Sequence, residues 1–272
     1  MSLLWSERLC IALLPDRMAW AIMARGWGRR IRAQGSLRVP AAAEGNLWQA
    51  ALEALQRELP NIPFTRGGVS VVLSNAFVRY LVINSSTALT SDEERLALAR
   101  HDFHKIHGTI ADAWEISIAA GEQNYLAAAL DGELLAQLRH CFAISKLKLH
   151  SIRPYAVAAF NHCARNFDGK TAEGFFLSEP HGYCHAGMSG GKWEFFHCGR
   201  WEGEPLETYR HVVQREARCS GVDARKMWVA PAHEMSFEKN LAQQEGVKLL
   251  PLNAGLPDVQ QAEQLMALLG AA

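Results

Sequence analysis

Apolar residues run almost unbroken from Leu9 to Leu14, stop at Pro15-Asp16-Arg17, and resume from Met18 to Ala24. Short apolar runs divided by turn residues predict strands joined by tight hairpins. Gly26-Trp27-Gly28 then turns the chain into a third strand from Arg29 to Val39. The period changes next: Leu47, Trp48, Ala51, Leu52, Leu55 and Leu59 recur at helical spacing, with Asn46 as the expected N-cap and Pro60 as the stop. Val69 to Leu73 has a single polar position and predicts a strand buried on both faces. The opening order is three strands, a helix and a strand.

The middle reads as a separate α+β block. Phe77 to Ile83 predicts a strand. Ser91, with Glu94 three residues on, makes a capping box that opens a helix ending near Gly108. Trp114–Ile118 and Tyr125–Leu130 predict two strands around Gly121. Leu134, Leu135, Leu138 and Phe142 mark a helix, Lys148–Ile152 a strand, and Tyr155 to Asn166 a returning helix. Asp168-Gly169-Lys170 is the strongest boundary signal. After it the opening order repeats: strands at Glu173–Ser178, Tyr183–Met188 and Lys192–Cys198, a helix from Pro205, and a strand at Met227–Ala230. A helix at Phe237–Gln244, a short strand at Val247–Leu250 and a helix from Val259 to Leu269 close the chain. The expected organisation is a first lobe (1–75), an inserted α+β subdomain (76–153), a connecting helix and linker (154–170) and a second lobe (171–272). The two lobes share element order and not residue identity.

Composition narrows the function classes. The 272 residues carry 28 basic and 28 acidic side chains, so formal charge cancels, and the pI is near 7.2. That balance gives no global attraction to nucleic acid or an anionic membrane. Apolar residues at 49% exclude wholesale disorder. No apolar run reaches the roughly 18 residues of a membrane-spanning helix. Glu7 and Arg8 before the short Leu9–Leu14 run do not read as a signal peptide, so a cytoplasmic protein is expected. The cysteines (Cys10, Cys141, Cys163, Cys184, Cys198, Cys219) show no C-x-x-C spacing. In a reducing compartment they are expected to be small buried hydrophobes without a disulfide framework.

Three strands, helix, strand, occurring twice around an inserted α+β block, is the plan of the actin-like ATPase fold. The stretch Val69–Ile118, VSVVLSNAFVRYLVINSSTALTSDEERLALARHDFHKIHGTIADAWEISI, more narrowly resembles bacterial envelope-machine platform proteins of that fold. Its buried strand, the Phe77–Tyr80 aromatic-Val-Arg-Tyr strand, the acidic helix start Ser91-Asp92-Glu93-Glu94, Gly108 and Trp114 are similar to PilM-like proteins of type IV pili and the cytoplasmic region of GspL in type II secretion. The resemblance implies nucleotide held between the two halves by three loops. Two strand–turn–strand loops would need small residues for close N–H approach to phosphate and carboxylates for hydrated Mg²⁺.

Those loops read poorly. The first, Leu13-Leu14-Pro15-Asp16-Arg17-Met18, has no glycine, a proline that cannot donate, and its acid in the turn instead of the first strand. The second, Leu177-Ser178-Glu179-Pro180-His181-Gly182, again has a proline, with Gly182 and Glu179 as remnants. The third, expected to be a glycine-rich turn at the adenosine, reads Pro231-Ala232-His233-Glu234. The expectation is that ATP hydrolysis is lost.

Other constellations have plainer readings. His101, His104 and His107 fall at i, i+3 and i+6 and predict a polar helix face. His181, Cys184, His185, His197 and Cys198 converge on neighbouring strands, where alternation puts Cys184 and His185, and likewise His197 and Cys198, on opposite faces. A mixed Cys/His zinc site across that hairpin is geometrically open, but its spacing matches no finger or ribbon. Gly187-Met188-Ser189-Gly190-Gly191-Lys192 imitates a phosphate loop, yet Trp193 and a strand follow where a helix is required.

The sequence thus predicts a non-catalytic cytoplasmic platform of a type IV pilus or type II secretion-like machine, peripheral to the inner membrane through its partners. It would dock a membrane-anchored protein with a short cytoplasmic segment, in the groove between the first lobe and the insertion, by strand-edge pairing and aromatic pockets. Phe77, Arg79 and Tyr80 are the expected contacts; no catalytic, cofactor-binding or metal-ligating residue is assigned, and neither nucleic acid nor direct membrane insertion is expected. The alternatives are an ATP-binding or ATP-hydrolysing protein of the same fold, and a metal-binding protein using the His/Cys hairpin.

Overall fold

The opening apolar runs fold as a meander: β1 (Arg8–Leu14) pairs antiparallel with β2 (Arg17–Met23), and β2 with β3 (Ile31–Arg38). The computed structural model describes residues 7–24, 30–40, 46–84, 91–119, 124–167, 170–220, 227–230, 247–250, 252–253, 256 and 262–270. The expected turn Gly26-Trp27-Gly28 and the helix Phe237–Gln244 lie outside them. The chain divides into two units, Met1–Phe77 with Glu133–His162 and Leu252–Ala272, and Val78–Gly132 with Cys163–Pro251.

In the first unit, β4 (Gly68–Leu73) lies parallel to β1, and β8 (Lys148–Pro154) parallel to β4, giving the order β3-β2-β1-β4-β8. β1 and β4 are central and almost wholly buried, while β3, at the edge, alternates half-buried with exposed positions. Helix α1 (Gln49–Glu58) buries Ala51, Leu52, Ala54 and Leu55. Its N-cap falls at Trp48 with no side-chain cap; Asn46, the expected cap, instead accepts the Gln49 N–H on its backbone carbonyl. Pro60 ends the α-helix as expected, within a 3₁₀ turn over Leu59–Asn61.

The second unit repeats that layout. β9 (Glu173–Glu179), β10 (Gly182–Ser189) and β11 (Lys192–Gly199) form a meander, β12 (Met227–Ala230) lies parallel to β9 and β13 (Lys248–Leu249) parallel to β12, in the order β11-β10-β9-β12-β13. Helix α5 (Pro205–Ser220) brings Tyr209 and Val213 onto Phe176 and Val229. A three-stranded antiparallel sheet, β5-β7-β6, is built from β5 (Val78–Asn84), β6 (Trp114–Ile118) and β7 (Asn124–Asp131). Against it packs α2 (Asp92–His107), with Phe103 and Ala99 set on Ile83, Tyr125, Ala127 and Ala129. The capping box is present: Ser91 Oγ accepts the Glu94 N–H at 3.1 Å and the Glu94 carboxylate accepts the Ser91 N–H at 3.1 Å.

Helix α3 (Gly132–Ile144) and α4 (Tyr155–Cys163) flank β8, and Asn75 Oδ1 accepts the Ala156 N–H at the start of α4. Two elements sit elsewhere than the sequence suggests. Lys148–Pro154, expected in the inserted block, completes the first sheet, and α6 (Ala262–Leu269), expected in the closing lobe, packs on β1 and β2. Leu265, Met266, Leu268 and Leu269 are all buried there, each contributing about 1.5–3 kcal/mol by removal from water. A run as apolar as Leu265–Leu269 shows that the helix is buried without showing in which sheet's core. Among the described residues no helix is long and apolar enough to cross a membrane.

Candidate functional site

The two turns that would have to hold phosphate are short. In the first, Leu14 pairs with Arg17, leaving Pro15-Asp16 as a two-residue connection. The Asp16 carboxylate accepts from Arg17 Nε at 2.9 Å and Nη2 at 3.0 Å, and Arg17 Nη1 lies 3.6 Å from the Glu263 carboxylate on α6. The turn's one acid is thus neutralised by a guanidinium, and Pro15 brings no N–H. The Asp16 carbonyl also accepts the Val39 N–H, which ties the turn to the end of β3.

The second turn is the same length. Glu179 pairs with Gly182 across Pro180-His181. The residue Glu179 is buried, and its carbonyl accepts the Trp201 indole N–H at 2.8 Å. A side chain at Gly182 would land on the Gly199 carbonyl oxygen of β11. The glycine that looked like a phosphate remnant is therefore required by close strand approach. A phosphate cradle needs several convergent N–H groups and an acid free to order Mg²⁺. Two two-residue turns, each led by proline, do not fit a triphosphate. The third expected loop, Pro231–Glu234, lies outside the described residues.

The expected contact strand is β5 with the residue before it. Phe77, in a 3₁₀ turn over Asn75–Phe77, is buried, and Arg79 is exposed with Nη1 donating to the Val78 carbonyl. Tyr80 is half-buried, its ring 4.5 Å from that of Phe196 on β11. Phe196 in turn meets Trp193, whose carbonyl accepts from Asn124 Nδ2 of β7. Sequence reasoning missed Phe196 as the ring partner of this strand and the Asn124–Trp193 hydrogen bond beside it, because the latter crosses 69 residues and no local pattern encodes either contact. Beside β6, the other edge of the same sheet, a groove of about 260 Å³ is lined by Asp92, Arg95, Leu96, Ile116, Ile118 and Ala119.

The histidines of α2 do not converge. His104 Nδ1 pairs with Asp112 at 2.9 Å, and His107 rests edge-on against Trp114. On the β10–β11 hairpin, Gly190 and Gly191 take positive φ (57° and 75°) as a two-residue hairpin turn demands, so the glycine run is a turn and not a phosphate loop. Register places Cys184 opposite Cys198 and His185 opposite His197. The cysteine pair forms a disulfide, which corrects the expectation of buried free thiols; Cys10, Cys141 and Cys163 do remain buried and free. With cysteines on one face and histidines on the other, the hairpin does not present a mixed Cys/His set. Among the described residues no group of three or more His, Cys, Asp or Glu is arranged to hold a metal.

His185 is fully buried against Phe195 and Phe176, and neither ring nitrogen has a hydrogen-bond partner. Burial, followed by the nearby charges of His197 and Arg215, pushes its pKa down to about 3, so the ring is neutral. His197 is stacked on Phe195 and lies 4.0 Å from Glu216, which Arg215 holds at 2.8 Å.

No protein-family model matches the sequence, and no curated protein matches it. Solved structures do. The chain is similar to PilM in a "PilM-PilN type IV pilus biogenesis complex" (TM-score 0.71, 13% identity, 97% of each chain covered). It is similar to an actin-like ATPase-fold protein of unknown function from Bacteroides thetaiotaomicron (TM-score 0.65, 9% identity, 98% and 96% covered). It is also similar to the cytoplasmic domain of EpsL, an inner-membrane component of the Vibrio cholerae type II secretion system (TM-score 0.59, 11% identity, 98% and 95% covered). Duplicated five-stranded sheets of one order, with an α+β insertion, agree with those likenesses: the chain has the actin-like ATPase fold.

Proposed function

We propose that this chain is a non-catalytic platform of a type IV pilus or type II secretion-like machine, which docks the cytoplasmic segment of a membrane-anchored partner and stays at the inner membrane through it. The observation that carries the reading is the pair of proline-led two-residue turns, with Asp16 bound to Arg17, where this fold's phosphate loops belong. PilM, seen in a complex with PilN, and EpsL, an inner-membrane component, support a role in partner assembly. The partner segment is expected to lie extended along the β5-β7-β6 sheet, where backbone pairing supplies affinity and side-chain pockets selectivity. Phe77, Arg79 and Tyr80 are its expected contacts, with Arg79 the exposed and charged one of the three.

Two measurements test this. Thermal unfolding with millimolar Mg-ATP should show no stabilisation; a ligand at 100 times its Kd would add about 2.7 kcal/mol, a shift of several degrees, and such a shift overturns the non-nucleotide reading. The labelled cytoplasmic segment of a single-span protein encoded beside this chain should bind in fluorescence anisotropy, and Arg79→Ala should weaken it. Absence of binding to the wild-type chain refutes the platform.

A further inference from the structure

We propose that Cys184 and Cys198 form a reversible thiol–disulfide exchange site, attacked by a glutathione-class thiol at Cys198 and resolved by Cys184. The inference is independent of the docking role.

Geometry supplies the asymmetry. The two residues face each other across β10 and β11 with Cα atoms 4.2 Å apart, close to the spacing of the nearer type of antiparallel pair, so the strand register itself brings the two sulfurs together. Cys184 is fully buried, on a strand paired on both sides. Cys198 is exposed, on the outermost strand of its sheet. An external thiol therefore reaches one sulfur and not the other. Cys10, Cys141 and Cys163 are buried, and burial pushes the Cys10 thiol up to about 12 and the Cys163 thiol up to about 11, so they stay protonated and unreactive. Phe196, two residues before Cys198 on the same strand, carries the ring contact with Tyr80, so opening the bond loosens β11 where it meets β5.

The chemistry balances with two equivalents of thiol. An external thiolate attacks Cys198 Sγ, forms a mixed disulfide there and displaces the Cys184 thiolate, which takes a proton from water. A second thiolate attacks the external sulfur, and Cys198 leaves as thiolate and is protonated. The protein disulfide gains two electrons, and the two external thiols become one disulfide. Oxidation runs the same steps in reverse: glutathione disulfide is attacked by Cys198, and Cys184 expels the glutathione.

The full chain is equilibrated natively in glutathione buffers, quenched, alkylated and mapped by peptide mass. The wild type should release Cys184 and Cys198 together as the buffer becomes reducing. With glutathione disulfide, the Cys184→Ser variant should accumulate one glutathione on Cys198, and the Cys198→Ser variant should be modified at Cys184 at least about tenfold more slowly, since the rate follows access. A wild-type bond intact in millimolar reduced glutathione overturns the proposal, as does equal modification of the two variants. Amide exchange controls for unfolding: protection should fall in β11 on reduction while β1 and β4 hold, and a uniform loss would make the bond a structural staple and overturn the exchange site.

Discussion

Replacing His185 with Leu should remove a defined acid sensitivity of the second sheet. His185 is fully buried, both ring nitrogens are unpartnered, and its pKa is pushed down to about 3. In the unfolded chain the ring titrates near 6.5. Between those values the unfolded state binds a proton that the folded state refuses, so stability is complete above about pH 6.5 and is lost as pH falls toward 3. The slope is about 1.4 kcal/mol per pH unit, so acidification from about pH 7 to 5 costs the wild type about 2 kcal/mol through this residue. Leu is close in volume and does not titrate. At neutral pH the variant should match or exceed wild-type stability, by up to about 2 kcal/mol, because an unpartnered buried polar ring is removed. Urea unfolding followed by tryptophan fluorescence reads this directly, since Trp201 sits in the ring cluster around Phe176 that also holds His185. Parallel loss of stability in both proteins between pH 7 and 5 would refute the reasoning, as would a variant weaker than wild type at pH 7.

Two further outcomes are expected. Gly182→Val should destabilise the second sheet by about 2–3 kcal/mol in the same assay, because its Cβ meets the Gly199 carbonyl, a backbone atom that cannot yield; a neutral effect would reopen the glycine's role in phosphate binding. Ser91→Ala should cost about 1 kcal/mol and raise amide exchange in the first turn of α2, with Ser91→Asp restoring both.

Local features were legible. The Ser91–Glu94 capping box, the Gly190-Gly191 turn and the Pro60 stop each depend on neighbours a few residues apart, and all appear in the structure. The proline-led turns were readable for the same reason, since proline lacks a donor in any context. Asn46 departs from the expected cap because it opens a backbone turn closed by the Gln49 N–H, two residues before the N-cap at Trp48. The site residues were less legible. Tyr80 meets Phe196, and Arg17 meets Glu263 on the last helix, through contacts that join segments far apart in the chain.

The β10–β11 hairpin separates the two kinds of information. Alternation and a glycine pair were enough, in sequence alone, to place two strands, a two-residue turn and opposite faces for each neighbouring Cys and His. Which residue faces which was decided by a bulge: the register shifts between Gly187 and Met188, so Gly187 meets Phe195 and Cys184 meets Cys198. Without that shift Cys184 would face His197 and the cysteines would be out of line. The Phe195 ring lies over Gly187, where a side chain would collide with it. One inserted residue moves every later partner by one, and only packing around the ring selects it.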